Sequence, residues 1–542
     1  MYFVYSMKLR LLFISVFIIG ASVLTFAQNA NELLCKVLDF ETKYPVSFAT
    51  IKFDDVQNGV IADEDGEFRL PIDYKSSGKT IIISSIGFET LRINAGSFNL
   101  NTINKIYLRP KVEELSAVLV VAQAKSITYA PETIIKEAIK RIPFNYPRTP
   151  HSYMAYYRDY QLVNNNYYNL NEFILETFDA GFQTNKFRNS ENRTALYSYD
   201  LNDDYYLDSL LLKSVYGQAK VINKDESAQF NTALENELEI LNGHNAIRNF
   251  DIPSFSFVDT FRDDFVNNHD FKLEGIKYIE DTPLFEISFA SKNTEVAKFR
   301  AKGTIYIAKG DYAIYKIEYK MIENENFAQY KIQSGNSTKF ELRERLNTLY
   351  EVNVEYKPYN DKMYLNYITF NNRFIIKEPN PFKVSDFEFD PNDQAFYISF
   401  NKAVDESSIA RKSRFRVLYK DKKLIIKDIE LVKPKMVKIH VLDWAAGTGA
   451  SLEEVKSEDF SYRVKKIKDA TGAKLNKDSK LLGYQFREFF TQEIFEDKKP
   501  NNNLIFVTKT LPILDTRVNP PTFDIDKYWV NSPLKKTKGG DL

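Results

Sequence analysis

A chain of 542 residues is too long for a single hydrophobic core, and its 73 basic residues balance 73 acidic ones to a formal net charge of zero. That balance, with no basic block along the chain, excludes the electrostatic footprint of a nucleic-acid binder. The lone cysteine, Cys35, excludes an intrachain disulfide, while an aromatic share of 14% favours half-buried pleated surface.

Residues 1–27 read as a secretory signal. Lys8 and Arg10 precede the apolar run Leu11–Ala27, and the small residues Thr25 and Ala27 mark a cleavage site before Gln28. The run is marginal for a membrane span, which needs about 20 apolar residues, and no stop-transfer segment follows. The expectation is export with cleavage after Ala27. No transmembrane helix is expected afterwards, since no later apolar run is long enough. Glu32-Leu33-Leu34 are not the small residues that precede a lipidated cysteine, so Cys35 reads as a buried strand position.

Residues 31–110 form a first module. Strand-like runs recur at Leu34–Leu38, Ala49–Phe53, Glu67–Leu70, Thr80–Ser84 and Lys105–Leu108, with a turn at Asp63-Glu64-Asp65-Gly66. Asp63, Asp65 and Gly66 lack the third ligand and distal Glu of a calcium loop, so a plain hairpin turn is expected. The stretches VLDFETKYPVSFATIKF, GVIADEDGEFRL, IIISSIGFET and IYLRP resemble the carboxypeptidase-regulatory-like domain. That resemblance implies a transthyretin-like, seven-stranded β-sandwich common in exported proteins, and no peptidase activity. Cys35 stands where that family usually has Gly.

Residues 111–150 read as a linker and a short helix. Glu114–Ala122 resembles the energy-coupling stretch of TonB-dependent outer-membrane receptors, but Ala117 replaces the usual Glu and no plug or barrel series follows. An extended linker or added edge strand is expected there. Pro131–Ile142 is expected to be helical, with Ile134, Ile135, Ala138, Ile139 and Ile142 on one stripe, before Pro143, Pro147 and Pro150 break the chain. The segment IIKEAIKRIPFNYPRTPHSYMAYYRD resembles uncharacterised Gram-negative envelope proteins that carry the same first domain.

Residues 151–383 read as a central antiparallel β domain. Tyr153–Val163 and Tyr167–Phe178 flank a turn at Asn164–Asn166, and Gly303–Ala308 and Tyr312–Lys320 flank another. Tyr315, Ile317 and Tyr319 alternate with Lys316, Glu318 and Lys320, as one wet face requires. Tyr350–Tyr356 and Met363–Ile376 continue the series, interrupted by a helix near Gln229–Leu241 with Leu234, Leu238 and Leu241 on one face. The run KGTIYIAKGDYAIYKIEYKM is similar to the half-barrel of periplasmic lipoprotein carriers.

Residues 384–483 resemble a bacterial Ig-like domain, from FEFDPNDQAFYISFN to a terminal hairpin carrying Ile467, Asp469, Gly472 and Leu475. Residues 484–542 form a tail that, on returning to the central domain, would make the Ig-like unit an insertion. The expected fold class is therefore mainly β: a seven-stranded sandwich, a twisted, half-barrel-like antiparallel sheet with a few helices, and an Ig-like β-sandwich.

Residues able to carry chemistry are sparse. His151, His244, His269 and His440 fall in no HExxH or H-x-x-E spacing, and no Gly-x-Ser-x-Gly elbow or phosphate-cradling loop occurs. Asp203-Asp204 and Asp263-Asp264 read as solvated loop acids. No catalytic residue, metal or cofactor is expected. Two function classes follow: a non-catalytic envelope scaffold binding proteins or glycans, associated with the periplasm or outer membrane, or a periplasmic carrier of an apolar ligand. An outer-membrane transport accessory is a third reading. Tyr153, Tyr156, Tyr157, Tyr160, Tyr167, Tyr168 and Phe173 put aromatics on both faces of one hairpin. One face must pack the core, and the other is a candidate partner-binding surface unless the chain itself covers it.

Overall fold

The structure is a computed structural model, and it describes residues 32–53, 56–113, 130–163, 166–202, 205–207, 220–223, 236–253, 257–292, 299–323, 348–377, 381–442, 449, 455–470, 472–477 and 480–534. The signal segment, the Glu114–Ala122 stretch and Asp203-Asp204 lie outside the described residues.

Seven strands build the first module: β1 (Glu32–Asp39), β2 (Thr50–Phe53), β3 (Val56–Ile61), β4 (Glu67–Pro71), β5 (Thr80–Ser84), β6 (Leu91–Asn94) and β7 (Asn104–Leu108), with a short helix α1 (Ile72–Ser76) after β4. They form two sheets, ordered β4-β1-β7 and β3-β2-β5-β6, around one apolar core. Alternation along β1 points Leu33, Cys35 and Val37 inward, so the Cys35 thiol is held protonated by burial. The turn before β4 requires glycine: Gly66 has φ +73° and a Cβ there would meet the Val37 carbonyl at 2.5 Å.

The central domain is one open sheet. After β8 (Val112–Glu113) and α2 (Pro131–Asn145) come β9 (His151–Val163), β10 (Asn166–Asp179), β11 (Thr194–Leu201) and β12 (Lys220–Asn223). Two helices follow, α3 (Glu237–His244) and α4 (Phe261–Asn268). Then come β13 (His269–Ile279), β14 (Thr282–Ser291), β15 (Phe299–Ala308), β16 (Ile314–Glu323), β17 (Thr348–Tyr359) and β18 (Lys362–Lys377). The helix expected near Gln229–Leu241 is thus observed at Glu237–His244, with Leu238 and Leu241 buried as expected.

The last module contains β19 (Val384–Asp390), β20 (Ala395–Phe400), α5 (Glu406–Ile409), β21 (Phe415–Tyr419), β22 (Lys422–Lys423), β23 (Ile426–Lys433), β24 (Met436–Val441) and β25 (Phe460–Val464), before the long β26 (Lys480–Glu496). Its sheets β19-β20-β24-β23 and β22-β21-β25 enclose a third core. Asp469 closes its final hairpin by accepting from the Ala473 amide at 2.8 Å, with Gly472 at φ +84°.

Strand β26 leaves this module and enters the central sheet, whose order is β11-β10-β9-β26-β18-β17-β16-β15-β14-β13-β8, with β12 added in parallel to β18. Lys377 pairs with Lys480, so residues 381–477 leave and re-enter the sheet at neighbouring points. Among the described residues the two ends of the path do not pair, and no barrel closes. One face of the sheet is covered by α2, α3 and α4. The α2 stripe Ile134, Ile135, Ala138, Ile139 and Ile142 is buried there with Tyr315, Ile317 and Tyr319 of β16. On β15, Gly303 lets the strands close: a Cβ would lie 2.1 Å from the Glu318 carbonyl oxygen and 2.7 Å from the Phe289 ring.

Candidate functional site

The aromatic hairpin is β9–β10, near the β11 edge of the sheet. Period-2 geometry sorts its residues. Tyr153, Tyr157 and Phe173 enter the helix-covered core, while Tyr156 and Tyr160 project from the opposite face. That opposite face is covered as well. Phe48 and Ile61 of the N-terminal sandwich and Tyr528 of the tail pack around Tyr156, and Phe48 stacks on Tyr367 of β18 at 5.2 Å. Tyr160 stacks on Phe486 of β26 at 4.9 Å, Tyr168 meets Tyr206, and only Tyr167 is half-exposed. This corrects the expected partner-binding surface: six of the seven side chains are buried and Tyr167 is partly so, because the helices cover one face of the hairpin and the N-terminal sandwich and the tail around Tyr528 cover the other.

Beneath that cover lies a row of buried charges. Glu488 of β26, Arg158 of β9 and Glu172 of β10 stand in register across three strands. The Arg158 guanidinium donates to the Glu488 carboxylate and to the Asn531 carbonyl, and Tyr156 and Ser532 hydroxyls donate to Glu172. Asp63, the first residue of the N-terminal turn, faces this row. It is buried rather than solvated, accepts from the Glu67 amide at 2.8 Å, and burial pushes its carboxyl up to about 8 against the pull of Arg158.

Residues 528–534 strap the sandwich to the sheet. Trp529 packs against the sandwich core beside Phe53 and Tyr74, donates through its indole to the Arg69 carbonyl at 3.0 Å, and exchanges hydrogen bonds with Gln492 of β26. Arg69 reaches back to the carbonyls of Ser532 and Pro533, and Asn531 bridges the Arg69 amide and the Ile61 carbonyl.

The helix-covered face holds two further polar groups. Asp159 and Glu237 are both pushed up by burial, with Arg487 opposing the shift in each. At the end of β10, Asp179 receives a bidentate Arg248 at 2.9 Å and Lys186 at 3.0 Å. Burial works against its charge, but those two cations outweigh it and hold the carboxyl well below the usual range.

No group of three or more His, Cys, Asp or Glu side chains converges as a metal site among the described residues. His151 is buried against Tyr153 and the Thr149 carbonyl, and His244 stacks on Phe370, its pKa lowered by burial to about 3. His269 contacts the Phe265 carbonyl, and His440 sits half-exposed 3.6 Å from Glu430. Asp263 and Asp264 open α4 rather than a loop, and Asp264 accepts from the Thr260 amide at 2.9 Å. Sequence reading missed Arg158, Glu488, Asp179 and Arg248. The available signal was a charge flanked by aromatics inside a strand, as in Tyr156-Tyr157-Arg158 and Arg487-Glu488-Phe489.

Fold and site together define a mainly β, multi-module protein with a small accessory-type sandwich strapped onto a large sheet. That sandwich is a CarboxypepD_reg-like domain, residues 35–120 matching the family. Such domains are in general non-catalytic. No curated protein matches the chain.

Proposed function

We propose that the protein is a non-catalytic scaffold or adaptor of the Gram-negative cell envelope, exported and held at the periplasmic or outer-membrane surface. There it binds envelope proteins or glycans through its β modules, with residues 384–483 serving as an Ig-like spacer. The observation that carries this reading is the filled helix-covered face of the central sheet. Between α3 and the sheet, beside Tyr356, Ile368 and Phe489, the remaining space is about 40 Å³. That admits on the order of one or two waters, not an acyl chain, so the carrier alternative has no chamber there. The strap through Trp529 and Asn531 further favours a rigid presenting body over a lid that opens. No described helix is long and apolar enough to cross a membrane.

The test is affinity capture of the native full-length protein from detergent-solubilised envelope fractions, with protein, glycan and lipid mass spectrometry. Reproducible envelope proteins or glycans support the scaffold. Stoichiometric lipid with no other component would sink it in favour of the carrier.

A further inference from the structure

Beside the Asp179 cluster the surface opens into a cavity of about 350 Å³, within the roughly 300–1,000 Å³ range of small-ligand sites. Three distant parts of the chain build it: the β10–β11 connection, the start of α3, and residues 506–509 of the tail. Its lining includes Lys186, Arg188, Arg193 and Lys509 against one carboxylate, Glu239.

The lining cations outnumber the lining acids. Lys186 shares its acid, Asp179, with Arg248. Lys509 donates to the Phe187 carbonyl at 3.1 Å, and Arg193 to the Ser190 carbonyl at 2.6 Å while lying 5.0 Å over the Phe506 ring. Arg188 projects from the rim, exposed. Burial lowers the Lys509 pKa; Glu239 pulls it back up, while Lys186 and Arg193 push it further down, so the cations share a single lining acid at repelling distance. Glu239 is the nearby acid, and burial raises its pKa toward the neutral form. A half-buried set of cations with too few counter-charges marks a place where an external anion is stabilised. The side amides of Asn189 and Asn242 and the Phe506 ring add the polar rim and the apolar face that suit a sugar-sized body.

We propose that this cavity binds a small anionic sugar, phosphorylated or carboxylated, through Arg188, Arg193 and Lys509. The site gives a chemical class to the glycan side of the scaffold reading and rests on it only for its biological setting. Binding itself is a property of the purified chain.

The experiment is titration calorimetry of the full-length protein with glucose 6-phosphate, glucuronate, neutral glucose and inorganic phosphate, each at two salt concentrations. Both anionic sugars are expected to bind, more weakly at high salt, while glucose does not and inorganic phosphate binds less tightly than the sugar phosphate. Arg188→Ala, at an exposed position, and Lys509→Ala should each weaken the anionic sugars roughly tenfold, as the loss of one charge-assisted hydrogen bond predicts. Lys509→Arg should restore most of the affinity. No binding of either anionic sugar to the folded protein overturns the proposal, as do equal affinities in the Arg188→Ala protein or glucose binding as well as its phosphate. Failed capture of envelope partners by a protein that still binds these sugars would sink the scaffold and leave this site standing.

Discussion

Arg158 and Glu488 lie 330 residues apart in sequence yet face each other across one strand pair, both side chains essentially without solvent. The pair is imperfectly satisfied: Arg158 Nη2 and Glu488 Oε1 have no hydrogen-bond partner. Removing one partner leaves a buried uncompensated charge, whereas removing both removes that charge from among Tyr156, Tyr160 and Phe490 and leaves Glu172 held by the Tyr156 and Ser532 hydroxyls. Glu488→Met alone should therefore cost about 3–5 kcal/mol, and Arg158→Met with Glu488→Met clearly less. A double-mutant cycle by urea unfolding reads this, and additive losses would contradict it.

The strap predicts a coupling between the first module and the last residues. Trp529→Ala removes a half-buried ring, so the loss should fall below the roughly 3–5 kcal/mol of a fully buried aromatic truncation. It should concentrate at the sandwich–sheet junction. Hydrogen exchange should rise in β3 and β4 and stay unchanged in β19–β24, which the strap does not touch.

The buried hairpin makes a contrary prediction to that of an exposed one. Tyr156→Ser deletes a ring that packs with Phe490 and a hydroxyl that donates to Glu172. Thermal unfolding should show a loss of about 3–5 kcal/mol. A folded protein of unchanged stability would mean that the face is open after all.

Asp63 gives a pH dependence with a definite sign. Its folded-state pKa, about 8, lies above the ordinary carboxylate value near 3.8, so between these values the folded state binds more protons than the unfolded one. Its contribution is then fully present below about pH 4 and is lost as pH rises toward 8, by at most about 1.4 kcal/mol per unit. Asp63→Asn keeps the acceptor for the Glu67 amide and cannot ionise. Its stability relative to the parent protein should improve from pH 5 to pH 8 in parallel urea titrations. The Arg158 and Glu67 charges face this group across the same junction, so the comparison should be made at one ionic strength. A constant difference would show that Asp63 does not titrate in that window.

Much of the architecture is local, and the sequence by itself determined it. The period-2 alternation of Tyr315, Ile317 and Tyr319 with Lys316, Glu318 and Lys320 fixed a strand and its inward face. The Ile134–Ile142 stripe fixed a helix and its buried side, and Asp63–Gly66 fixed a turn. Each depends on neighbours within a few residues, where backbone geometry alone dictates which side chains share a face. The same periodicity told that Tyr156 and Tyr157 point to opposite sides, but it could not tell what lies over each. That was decided only by tertiary structure: Phe48 and Ile61 arrive from one end of the chain and Tyr528 from the other, and β26 slides between β9 and β18 after an excursion of about a hundred residues. The candidate site follows the same rule. Arg158 in its strand reads as a solvated charge until Glu488 is placed beside it, and Lys186, Arg193 and Lys509 read as scattered surface cations until the fold gathers them around one cavity. Burial and charge pairing are properties of what comes near in space, and for this chain the partners that matter are hundreds of residues away.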